Sequence, residues 1–200
     1  YRIETPESVP ELYIRIADRI RKNGFKILKF DKTRQVRPYV KPVFDLINES
    51  YTDIYGFAVL TDVESKEFSE RFLPLLNPNY IKVVTNKDDE VVAFVVAMPD
   101  ISEGFRKAKG KLFPLGFIHI FRSMRKTKQL NLLLGSVQTD YRNSGLDALM
   151  AVSLFESAIN GKLHVIDSHL VMEGNKKMRA VCERVDGKIY KKYRIFEKDL

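Results

Sequence analysis

The chain has 200 residues, of which 44% are hydrophobic and 30% charged. That is enough apolar side chain for one packed core, and it excludes a disordered or fibrous polymer. The net charge of +8 favours anionic partners such as a phosphorylated cofactor, a nucleic acid or a membrane surface, without separating them. A single cysteine, Cys182, excludes an internal disulfide framework.

Residues 5–22 read as a helix, with Pro6 in its first turn and Leu12, Ile16 and Ile20 at four-residue spacing. Asn23-Gly24 ends it, and 25–30 alternates apolar and basic residues as a strand does. A second helix is expected from Pro38 or Pro42 to about Tyr51, and a third over 64–76. Runs 80–85 and 90–98 are β-rich and flank Asn86-Lys87-Asp88-Asp89, which reads as a hairpin. Residues 101–128 form a basic stretch. A strand over 130–137, a helix over 145–159, a strand over 163–167, a helix over 175–184 and a final strand over 188–196 complete the chain. This order predicts an α/β (α+β) fold, a mixed, mostly antiparallel sheet with helices on both faces. The expected division is an N-terminal helix or linker over 1–24 and a domain over 25–200.

Within 101–128, Phe117, Ile120, Phe121 and Met124 fall at i, i+3, i+4 and i+7, so an amphipathic helix is expected. Arg122, Arg125, Lys126 and Lys128 crowd its end. It reads as a core-facing helix with a basic rim, as a lid over an acyl or acceptor site, or as a peripheral membrane contact through 112–128. No DNA contact is expected, because no recognised nucleic-acid motif is present. His119, His164 and His169 have no ligand spacing with Asp or Cys, so no metal site is expected. No apolar run approaches the roughly 20 residues a spanning helix needs, and no signal peptide opens the chain. A cytoplasmic location fits that pattern. A start at Tyr1 fits the C-terminal piece of a longer protein, or a trimmed chain.

The most informative segment is 132–149, where a strand ending at Val137 runs through Gln138-Thr139-Asp140-Tyr141 and Arg142-Asn143-Ser144-Gly145 into an apolar helix. The first amides of a helix lack internal partners, and the macrodipole makes that end positive. A glycine there lets backbone approach a phosphate, so the segment can cradle a pyrophosphate. It also reads as a plain strand–turn–helix junction, with Ser144 as cap and Gly145 as turn residue.

This segment resembles motif A of the GNAT superfamily of N-acetyltransferases, in which Q/R-x-x-G-x-G/A follows the central strand. Arg142 matches the first position and Gly145 the fourth. Asn175-Lys176-Lys177-Met178 resembles the start of motif B, and the likeness covers 25–200 in order, closest to a poorly characterised bacterial branch. The resemblance implies an acyl-CoA-dependent N-acyltransferase that uses acetyl-CoA or another acyl-CoA on a small-molecule or peptide amine. It implies Val137, Arg142, Asn143, Ser144, Gly145 and Asn175 as cofactor-binding residues.

Two positions depart from that pattern. Asp147 stands where the family has Gly or Ala, and like charges about 4 Å apart repel by about 1 kcal/mol in water. Cys182 stands where many members have a tyrosine as general acid. Asp100 and Cys182 are the catalytic candidates, as base and acid; their plainer roles are a helix cap and a buried small hydrophobe. Glu103 is also in a plausible place for a base, and Tyr141, Tyr190 and Tyr193 are other candidates for the acid whose plainer role is packing. The rival readings are a non-catalytic GNAT-like binding or structural domain of a longer two-domain protein, and an aminoacyl transferase that uses charged tRNA.

Overall fold

The computed structural model describes residues 1–109, 111, 116–196 and 198. In chain order these form β1 (Arg2–Glu4), α1 (Glu11–Lys22), β2 (Lys26–Lys29), α2 (Thr33–Val36), α3 (Val40–Ser50), α4 (Asp62–Phe72), β3 (Ile81–Thr85) and β4 (Val91–Pro99). There follow α5 (Ser102–Lys107), α6 (Gly116–Lys126), β5 (Gln129–Val137), α7 (Leu146–Asn160), β6 (Val165–Ser168) and α8 (Lys176–Arg184). The strands make one six-stranded sheet in the order β1-β6-β5-β4-β3-β2. Only the β5–β6 pair is parallel.

The alternation of apolar residues along β3, β4 and β5 feeds two faces. On one face Val84, Ala93, Ala97, Leu130 and Ile166 pack beneath α1 and α7, whose Ala17, Ile20, Leu146, Leu149, Leu154 and Phe155 are buried. On the other, Ile81, Val83 and Phe94 pack against Val36, Leu46 and Ile47 of α2 and α3. β1 and α1 thus share the core with the rest of the chain. No described helix is long and apolar enough to cross a membrane.

The ladder between β4 and β5 has one irregularity. Val96 faces Leu134 but Ala97 faces Leu132, so Leu133 is an extra residue in β5. Such a bulge reverses the in–out alternation beyond it. Leu130 and Leu132 accordingly pack with the α7 face, whereas Leu134 packs with the α3 face.

Several elements differ from expectation. The first helix starts at Glu11, six residues late, because Pro10 precedes it and the chain before runs extended through β1. Three residues hold too little periodicity to announce β1. The final strand over 188–196 does not form. β1 takes the sheet position beside β6, and the closing segment makes one bridge, Lys188 to Arg2, on the outer side of β1. The basic stretch holds two helices. α6 buries Gly116, Ile120 and Ser123 and leaves Phe121 53% exposed, so its inward stripe is rotated from the expected one. Residues 112–115 of that stretch lie outside the described residues.

Candidate functional site

The sheet opens where its two parallel strands part. β5 pairs with β6 from Gln129–Val165 to Leu132–Ser168, and the His169 amide makes a last, long contact to Leu132 O at 3.4 Å. Beyond that, β5 runs on to Val137 with β4 alone as its strand neighbour. Gln138 N–H donates to Val92 O on the β4 side, so by alternation the amide and carbonyl of Gly135 point to the open side. This parity follows from the register with β4, in which Gly135 faces Val95 and Val137 faces Ala93. In the open edge, Gly135 N–H donates to Tyr51 Oη and Tyr51 O–H donates to Gly135 O, both at 3.0 Å. Burial pushes the Tyr51 phenol up and the Gly135 hydrogen bond offsets part of that, so it stays protonated at neutral pH.

The turn after β5 lies next to this notch. Thr139–Tyr141 makes one turn of 3-10 helix, Ser144 Oγ donates to Tyr141 O at 2.5 Å, and α7 begins after Gly145. Asn143 and Gly145 both lie in the left-handed region, with φ of 66° and 88°. The amide N–H groups of Asn143, Gly145, Leu146 and Asp147 meet no acceptor among the described residues. Unpartnered amides at the start of a fifteen-residue helix make a favourable place for an anion. Val137 packs into the α1–α7 core rather than offering a polar group. Arg142 is half-buried beside the turn. Asn175 caps α8 by accepting from Met178 N–H at 3.0 Å.

Asp147 is not left as a bare charge beside the cradle. Its Oδ2 lies 3.3 Å from Arg184 Nη1 on α8, and Tyr13 of α1 donates to Arg184 O at 2.6 Å. Three helices therefore meet over this carboxylate, and a cation neutralises it. The glycine side of the turn is equally full. A Cβ at Gly145 would stand 2.8 Å from Ile20 Cδ1, so this glycine admits α1 as much as it frees the turn.

Each of the two predicted catalytic residues has a local structural partner. Cys182 is buried against β6, its Sγ 3.6 Å from Ser168 Oγ, and burial pushes its thiol up. Asp100 accepts from Ser102 N–H at 3.0 Å and Ser102 Oγ at 2.6 Å at the start of α5. Burial raises its pKa, but the bonds from Ser102 and Asn131 and the nearby His169 outweigh that and hold it below the usual value. Glu103 pairs with Lys107 on the α5 surface.

A polar row lies at the foot of the notch, of which the sequence reading singles out only Tyr190 as a candidate acid. Asn131 and Asp167 face each other across β5 and β6. Asp167, 7% exposed, accepts from Tyr190 Oη and from Gln129 Nε2, and its Oδ1 lies 3.9 Å from His169 Nδ1. The bond to Asp167 pushes Tyr190 up to about 12. His169 is the residue at which the chain leaves β5, with its side chain half-exposed.

No family model matches the chain. A curated relative, the bacterial ceramide synthase of Caulobacter vibrioides (strain NA1000 / CB15N), is 25% identical over 206 residues, covering 100% of this chain and 53% of its own length. The chain thus spans about half the length of that relative. Among solved structures, AAC(6')-Iy in complex with the bisubstrate analog CoA-S-monomethyl-acetylneamine superposes with a TM-score of 0.54 at 12% identity, over 88% of this chain and 99% of that one. A possible acetyltransferase from Clostridium difficile 630 does so at 0.52 and 16% identity, over 88% and 97%. The order of elements, the mixed sheet and these superpositions agree, and the chain has a GNAT-like fold.

Proposed function

We propose that the chain is an acyl-CoA-dependent N-acyltransferase acting on a primary amine. The observation that supports it is the notch between β5 and β6, opening beside the unpartnered amides at the start of α7. In this reading Arg142 and the amides of Asn143, Gly145, Leu146 and Asp147 hold the pyrophosphate of the cosubstrate. The open-side groups of Gly135 bind its amide-bearing arm in place of Tyr51. The thioester then lies near the bulge, where the amine attacks the acyl carbon and the C–S bond breaks. His169, held near Asp167, takes a proton from the attacking nitrogen, and the protonated Tyr51 gives one to the departing thiolate. The relative's name also fits, since a ceramide is an amide formed on an amine-bearing lipid base. Acetyl-CoA and longer acyl-CoA are both candidate donors, and small-molecule, peptide and lipid amines are the candidate acceptors for the assay below.

The structural engagement of Asp100 and Cys182 favours a second reading, a non-catalytic binding domain. Two measurements separate the readings. Calorimetry with acetyl- and palmitoyl-CoA is expected to give micromolar to millimolar binding, weakened about tenfold in Arg142→Ala by loss of a charge-assisted contact. Release of free CoA thiol in the presence of an amine panel reports transfer. Binding without thiol release selects the second reading; no binding at all ends both.

A further inference from the structure

We propose that the α5–α6 hairpin docks the protein on the surface of an anionic lipid bilayer. Residues 101–128 hold eight lysines and arginines against one acid, Glu103, which is already paired with Lys107. On the outward side of α6, Ile118 and Phe121 are 59% and 53% exposed, next to the exposed Arg122, Arg125 and Lys126. Those three cations form no ion pair among the described residues. Two large apolar side chains thus lie on one helix face among cations of a single sign. A bilayer surface has a use for both, because the cations meet lipid phosphates while the apolar groups enter the acyl boundary.

The hairpin is a packed unit rather than a loose arm. A Cβ on Gly104 of α5 would stand 2.7 Å from Ile120 Cα, so the two helices touch backbone to backbone. The exposed Phe105 adds a third apolar group from α5. The hairpin leaves the sheet at Pro99 and returns at Gln129, next to the polar row of Asp100, Asn131 and Asp167. Docking there sets that end of the sheet against the bilayer.

Nucleic acid is the competing polyanion, and its phosphates need the cations alone. The apolar pair therefore separates the two. Co-sedimentation of the full chain with vesicles of phosphatidylglycerol and phosphatidylcholine in equal parts is expected at low salt and falls as salt rises. Vesicles of phosphatidylcholine alone are expected not to bind. Arg122→Glu with Arg125→Glu is expected to weaken binding at least roughly tenfold. Ile118→Ser with Phe121→Ser is expected to weaken vesicle binding while leaving retention on duplex DNA unchanged. All four positions are exposed, so circular dichroism melts should stay near wild type, and the salt titration of wild type stands without the variants. Absence of low-salt vesicle binding overturns the proposal. So does full vesicle binding by the Ser pair, which would make the hairpin a general polyanion surface. The measurement does not involve acyl transfer, so either result leaves the cofactor reading standing.

Discussion

The hydroxyl of Tyr51 satisfies both polar groups of Gly135 on the open edge of β5, and it does so from the end of α3, more than eighty residues away in sequence. If it donates a proton during transfer, Tyr51→Phe should lower kcat about a hundredfold, within the range for a lost general acid, while acyl-CoA binds no more weakly, because the hydroxyl no longer competes for Gly135. An unchanged kcat would remove that role. His169→Ala should likewise lower kcat and spare the Kd, whereas loss of cofactor affinity in that variant would count against His169 as the base. Asp147 invites the opposite expectation. Because Arg184 already neutralises it, Asp147→Asn should change acyl-CoA affinity by less than about tenfold, and should cost little stability as a partly exposed pair. The cradle was legible in the sequence because it is contiguous: strand, Arg-x-x-Gly turn and helix lie within a dozen residues. Tyr51, Asp167 and His169 were not, since Tyr51 reaches Gly135 across more than eighty residues, and Asp167 meets Tyr190, itself a candidate from the sequence, only through the folding of the closing segment. Asp147 was legible as an oddity, but its partner on α8 was not.

At the scale of elements, the β3–β4 hairpin, β5 and α7 were readable because each is long and periodic and ends on a turn residue. β1 was not, being three residues long, and the segment after Gly187 read as a strand whose place in the sheet β1 occupies. The bulge at Leu133 escaped notice for a different reason. In a run of consecutive leucines no polar residue marks where the alternation reverses. The junction of α1 with α7 is the element-scale feature most open to measurement. Gly145 has a φ of +88° and its missing Cβ would meet Ile20, whereas Gly56 has a φ of +76° with open space around it. Both glycine-to-alanine changes carry the left-handed cost of about 1–2 kcal/mol. Only Gly145→Ala should add a clash with α1. It should therefore lower Tm somewhat more than Gly56→Ala, and equal losses would mean that the Ile20 methyl swings aside freely at this contact.

For the molecule as a whole, the net charge of +8 is spread unevenly, and one of its cations lies inside. Lys82 is 1% exposed in β3, and its Nζ donates to Asn79 O at 2.7 Å. Burial first, and the neighbouring Lys29 second, push its pKa down to about 8, with Glu156 and Asp31 acting in the other direction. Below about pH 8 Lys82 is protonated in both the folded and unfolded chain, and the full cost of burying the charge is present. Between about pH 8 and the ordinary lysine value the folded state sheds its proton first, so folding stability rises with pH, and above that value the gain is complete. A tenfold change in proton affinity is worth about 1.4 kcal/mol, so the whole rise amounts to about 3 kcal/mol. Lys82→Met keeps the packing and removes the charge, so the variant should be more stable than wild type at pH 7, and its advantage should shrink steadily toward pH 10.5. Urea unfolding of both proteins across that range measures the difference directly, with other titrating groups cancelling between them. A stability difference that stays constant with pH would mean that the Lys82 ammonium reaches water, and that the interior under α7 is wetter than its packing shows.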